Sequence, residues 1–335
     1  MKIAIVLIAF GLLRCSVVAA ESTPSEALLV LSKGDHTLAI VDPSSLKVVA
    51  RMPSGPDPHE VIASSDGKLA FISNYGGGAY NTLSVVDLIE QKALPVVDLG
   101  PLRGPHGLAF VGGKTWFTAE GAKVIGSYDP GAKKIDWVLG TGQNRTHMIY
   151  VFEDLKRIVT TNVSSGTVSI IEKTSGEPHP GAPPRSDWDE TVVPVGRSTE
   201  GFDVFPDGKE IWAANAQQGT VAIIDMATRK VIQTVAADVK GANRLKFTLD
   251  GKLVFVSSLS GPDVTILDAS TRSVAKRVKV GRGAAGILMQ PGGSRAYVAC
   301  TPDDYVAVID LKSLEVAGRI EAGKQPDGLV WAVRR

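Results

Sequence analysis

Five histidines are spread over 335 residues, and three of them fall into one pattern with a glutamate. Aligned on the turn and strand that follow, His59, His106, His147 and Glu200 hold one equivalent position in successive stretches of chain. Asn243, Ala285 and Asp327 continue the series. Neutral imidazoles with one carboxylate form an ordinary ligand set for zinc or another divalent ion, so His59, His106, His147 and Glu200 could hold a metal as cofactor. The same groups could exchange protons near neutral pH, with His147 and Glu200 as the acid–base pair and Glu120 as a spare base. A third reading makes the histidines recurrent repeat residues that bond a neighbour's backbone.

Cations stand close by. Arg103, Arg197, Lys240, Arg282 and Lys324 each precede a position of this series by three residues. Arg145 precedes His147 by two, and Arg244 follows Asn243. Guanidinium groups around a concave mouth favour carboxylates and phosphates, which predicts an anionic small molecule or a protein segment as ligand. Asn74, Glu120, Asn162, Asn215 and Ser258 end the strands that follow, and Asn162 and Asn215 are expected to add polar contacts to the ligand.

These side chains need elements that bring distant residues to one place, and the sequence repeats accordingly. A strand ending in an acidic residue recurs seven times: Ala39–Asp42, Ser84–Asp87, Gly126–Asp129, Ser169–Glu172, Ala222–Asp225, Thr265–Asp268 and Ala307–Asp310. Most copies lie about 42–45 residues apart, the period of a four-stranded propeller blade. The longer interval from Glu172 to Asp225 holds a Pro/Gly-rich insertion near Pro178–Trp188. Asp66-Gly67, Asp207-Gly208 and Asp250-Gly251 sit between β-rich runs, where glycine allows a tight hairpin. The chain starts on a second strand, Leu28–Leu31, and finishes on a first strand, Pro326–Trp331. The two ends are therefore expected to share one blade and close an all-β, seven-bladed ring.

The Val-x-Val-Ile-Asp strands and Asp-Gly hairpins resemble the YVTN-repeat family of bacterial propellers over essentially the whole mature chain. The stretch Gly104-Pro105-His106-Gly107-Leu108-Ala109-Phe110 with Trp116–Glu120 resembles the repeat of streptogramin lyase propellers, near the lactonase-type propellers. That resemblance implies catalytic residues at the mouth of a central channel. It leaves two functions open: a binding or interaction protein working through the funnel, or a metal-assisted lactonase- or lyase-type enzyme.

Residues 1–20 read as a signal peptide, with Lys2, the apolar run Ile3–Leu13 and the small residues Val18-Ala19-Ala20. A periplasmic or extracellular protein without a stable membrane span is the expectation, with 21–335 forming the propeller. Loss of Lys2 and Arg14 leaves 34 basic residues of the 36 against 35 acidic ones. So even a balance does not favour nucleic acid as a partner, though it leaves it open. Cys15 leaves with that segment and Cys300 stays alone, so no internal disulfide can form. A monomer is expected. Gly76-Gly77-Gly78 lies between two strands and not before a helix, which fits a flap better than a phosphate loop.

Overall fold

The computed structural model describes residues 22–177 and 181–334. The proposed signal peptide, with Cys15, and His179 of the insertion lie outside the described residues. Seven four-stranded antiparallel sheets are arranged as a seven-bladed β-propeller. The inner strands of blades two to seven are Pro58–Ala63, Pro105–Val111, Thr146–Val151, Thr199–Val204, Ala242–Phe247 and Ala284–Met289. Blade one takes its inner strand, Pro326–Val333, from the end of the chain and pairs it with Glu26–Ser32. Adjacent inner strands touch all the way round, so the ring is closed.

The core is divided the same way. Seven clusters of buried apolar residues each join two neighbouring blades, such as Trp212 and Ile223 of blade five with Leu245 and Phe247 of blade six. Second strands carry the bulk: Phe71, Phe117, Trp212, Phe255 and Tyr297 are fully or almost fully buried. Alternation along a half-buried strand would expose every other residue. Here the middle strands are buried on both faces because a blade lies on either side.

In four blades the acidic residue that ends the third strand is structural. Asp42, Asp225, Asp268 and Asp310 accept hydroxyl and backbone N–H bonds from the turn that follows, which hold their carboxyls below the usual range. The Pro/Gly-rich insertion lengthens the outer hairpin of blade four into two ten-residue strands, Thr167–Gly176 and Arg185–Pro194. Among the described residues no helix is long and apolar enough to cross a membrane.

Candidate functional site

The register of the repeats places the predicted series on one ring. His59, His106, His147, Glu200, Asn243, Ala285 and Asp327 are each the second residue of an inner strand. In every blade the pairing of inner and second strand slips by one residue just past this position. A β-bulge of this kind re-aims a side chain, and seven of them turn the ring residues toward the axis.

Two local devices hold the bulge. The residue two before each ring position is left-handed in all seven blades: Asp57, Gly104, Arg145, Ser198, Gly241, Gly283 and Gln325. Three are glycines; Arg145, at φ 55°, is the bulkiest of the four that keep a side chain there. A left-handed conformation costs an L-residue roughly 1–2 kcal/mol, and such strain gathers at functional sites. The second device is a hydroxyl on the second strand. Gly107 N–H donates to Thr118 Oγ1 (2.9 Å), whose own O–H donates to the His147 carbonyl (2.8 Å). Thr161 does the same toward Glu200 (2.6 Å), and Ser257 toward Ala285 (2.9 Å). His147, Glu200 and Ala285 are thus each latched to the blade before them.

The ring opens into a funnel of about 350 Å³. His147 is its hub. Nδ1 lies 2.5 Å from Glu120 Oε1, and Nε2 lies 3.1 Å from Glu200 Oε2. Burial alone would depress this imidazole, yet the two carboxylates outweigh it and raise its pKa, so both nitrogens carry protons. Glu120 also accepts from Tyr75 Oη at 2.5 Å and from Arg145 Nε at 3.4 Å. Burial pushes Glu120 and Glu200 up, and bonds from His147 more than reverse it, so both stay ionised.

His106 is the opposite case. Its ring centroid is 3.8 Å from that of His147, and Tyr75 and His59 meet it at 5.1 Å. No hydrogen bond reaches either of its nitrogens among the described residues, and Nδ1 is buried. Burial, followed by the charge of His147, drives its pKa well below the ordinary value, so the ring is neutral. An orphaned buried donor is rarer than an orphaned acceptor. The proton therefore belongs on Nε2, leaving Nδ1 as a bare lone pair.

The other charges are paired. Arg244 of blade six donates to Glu60 of blade two; these blades are three apart in a ring of seven, so the pair bridges the axis. Arg244 also approaches His147 Nε2 at 3.5 Å, a like-charge contact that Glu60 offsets. Lys33 lies 3.0 Å from Asp327, and His59 lies 3.2 Å from Asp57 and 3.6 Å from Asp327.

Of the predicted ligand-binding residues, the funnel wall takes Arg145 and Arg244. Arg103 and Arg197 are exposed on the rim with no ion pair among the described residues, and Arg282 is tied to Asp303 at 2.7 Å. Asn162 and Asn215 point into their own blades. Their amides donate to Thr167, Ser169, Thr220 and the Val195 carbonyl, and both are fully buried. They hold second strand to third and do not face the ligand space. Asn74 behaves likewise, so Glu120 does not share their position but lies one residue further on. His36 is exposed in a turn outside the funnel wall, and Cys300 is a buried thiol pushed up to about 11 by desolvation.

The predicted metal ligands are brought together without converging as ligands. His147 has both nitrogens committed to carboxylates, and among the described residues no three His, Cys, Asp or Glu side chains are arranged to hold an ion. The residues present do not fit a metal centre. Sequence reasoning missed Tyr75 and Lys33, which stand one residue past the end of a second strand, as Glu120, Leu259 and Thr301 do. A second ring at that offset was the available signal.

No protein-family model matches the chain, and no curated protein matches it. Solved structures do. A functionally unknown protein from Desulfotomaculum acetoxidans has a TM-score of 0.73 at 13% identity, over 91% of this chain and 98% of that one. A protein from Bacteroides uniformis, described as a candidate 6-phosphogluconolactonase, has 0.72 at 16% identity over 91% and 99%. Kuenenia stuttgartiensis hydrazine synthase has 0.71 at 18% identity over 85% and 92%. At these identities the likeness defines the fold, a seven-bladed propeller, and nothing finer.

Proposed function

We propose that the funnel is a metal-independent acid–base active site for a small carbonyl compound, of lactonase or lyase type, in a secreted propeller of YVTN-repeat character. One observation carries the reading. Two touching imidazoles are held in opposite states, His147 charged between two carboxylates and His106 neutral with nothing bonded to it. Environments that split the pKa values of neighbouring groups are how acid and base roles are assigned.

The roles follow from which atoms are free. Glu200 has one oxygen on His147 and the other without a partner among the described residues, so it can take a proton from water or from carbon beside a carbonyl. His106 Nε2–H would donate to the carbonyl oxygen, where negative charge develops. His147 fixes both neighbours without touching substrate, and Glu120 keeps it charged. Arg145 would hold an anionic group at the mouth. The lactonase description of one structural neighbour makes lactones the first substrates to offer.

The test is a turnover screen of lactones and esters, with deuterium exchange next to carbonyls, on wild type, Glu200→Gln and His106→Phe. Turnover in wild type that falls about 10²–10⁴-fold in each variant, with folding kept, supports the reading. Equal turnover in all three overturns it. A second reading, capture of an anionic ligand or partner segment at the rim, is favoured by the unpaired Arg103 and Arg197. It would show as binding lost in their double alanine variant.

A further inference from the structure

The funnel has two unlike walls. Blades one to five present Lys33, His59, Tyr75, His106, Arg145 and Glu200. Blades six and seven, apart from Asn243, Arg244 and Thr301, contribute Leu259, Gly283, Ala285 and Pro302. Ala285 is the single apolar residue in a ring whose other six positions carry His, Glu, Asn or Asp. Its small side chain leaves room where the other blades fill it. Leu259 is 46% exposed beside that space. A Cβ on Gly283 would fall 2.6 Å from Pro302 and 3.7 Å from the Leu259 carbonyl, so these residues form one continuous surface. No charged group of blade seven faces the funnel, because Arg282 is turned aside onto Asp303.

Resting on the acid–base reading above, we infer that the ligand is amphipathic. Its carbonyl and anionic head is set on the charged wall, and a compact hydrocarbon portion lies on Leu259, Ala285 and Pro302. Charge complementarity fixes the orientation. A carboxylate turned toward blade seven would leave water for an apolar surface with no donor to meet it, whereas toward Arg145 it gains a charge-assisted bond. An exposed leucine beside Ala285 and Pro302 gains from contact with hydrocarbon.

Linear 2-oxo acids of three to eight carbons are suitable probes, since each carries a carbonyl, a carboxylate and a chain of graded length. Calorimetry would measure Kd across the series for wild type, Ala285→Asn and Leu259→Ser. Asparagine already occupies the ring position in blade six and Leu259 is exposed, so both variants are compatible with the fold. In wild type, Kd should fall about fourfold for each methylene that reaches the apolar wall. The ratio between the shortest and longest acids should shrink at least fivefold in each variant. A Kd indifferent to chain length, a ratio that survives both substitutions, or no binding by any member overturns the inference. Because the readout is binding, the two proposals fail separately. A chain-length dependence in a protein without turnover keeps the amphipathic ligand and removes the enzyme.

Discussion

At the scale of single residues the site is a balance of charge and backbone strain. His147 illustrates the first. Burial would depress it, but Glu120 and Glu200 raise its pKa above the ordinary 6.5. The stabilisation its charged form provides is therefore complete below 6.5 and is lost as pH rises through the raised folded value. His147→Gln should be most destabilised relative to wild type below pH 6.5, and the gap should narrow at higher pH in denaturant titrations. His106, depressed by burial, follows the reverse course: its neutral form stabilises above 6.5, and that contribution fades as pH falls. Arg145 illustrates strain. Arg145→Gly relieves about 1–2 kcal/mol of left-handed backbone cost. The lost pair with Glu120 and the freer unfolded chain offset part of that gain. A melting temperature within a few degrees of wild type, together with at least tenfold lower turnover, would mark the arginine as kept for ligand and not for stability. A large loss of stability would contradict this.

The elements explain how side chains forty residues apart come to meet. In three blades the bulge is held by a hydroxyl that reaches the next blade, and through such a bridge Thr118 acts on His147 by way of the backbone without touching ligand. Thr118→Val removes both bonds and strands the buried Gly107 N–H, costing roughly 1–3 kcal/mol. Turnover should fall at unchanged KM, and Thr118→Ser should restore it; loss of stability alone would leave Thr118 a packing residue. This scale also shows what the sequence revealed. The ring was legible because the offset from turn to hairpin is nearly constant, so His59, His106, His147 and Glu200 could be aligned by counting. Glu120 was placed one residue early, beside Asn162 and Asn215, because the slip in pairing is invisible without the partner strand. The three asparagines share a position that faces into the blade, and their type alone could not distinguish a ligand contact from a bond to the next strand. The pairings of Lys33, Tyr75 and Glu60 escaped notice for another reason. The partner of Tyr75 lies on the next blade, that of Glu60 three blades away, and that of Lys33 on the shared blade but at the opposite end of the chain.

At the scale of the molecule, stability resides in seven blade interfaces and in closing the ring. Among the described residues no disulfide supports it, since Cys300 is the one described cysteine and is buried. Ending the chain after residue 325 would remove the inner strand of blade one, with Asp327 and Trp331, and expose the edge of Glu26–Ser32. That truncated chain should lose its single cooperative unfolding transition and aggregate; a soluble, cooperatively melting product would show that the ring does not depend on its shared blade.

The pair between Arg244 and Glu60 has its own consequence at this scale. It lies across the axis one residue past the ring positions, where it would close the floor of the funnel and leave one doorway. On the enzymatic reading proposed above, whatever is made there would leave along the path by which its precursor arrived, and the two could not pass. Product should accordingly inhibit in direct competition with substrate, and residence at the doorway, governed by Arg145 and the rim, would set the pace of repeated cycles.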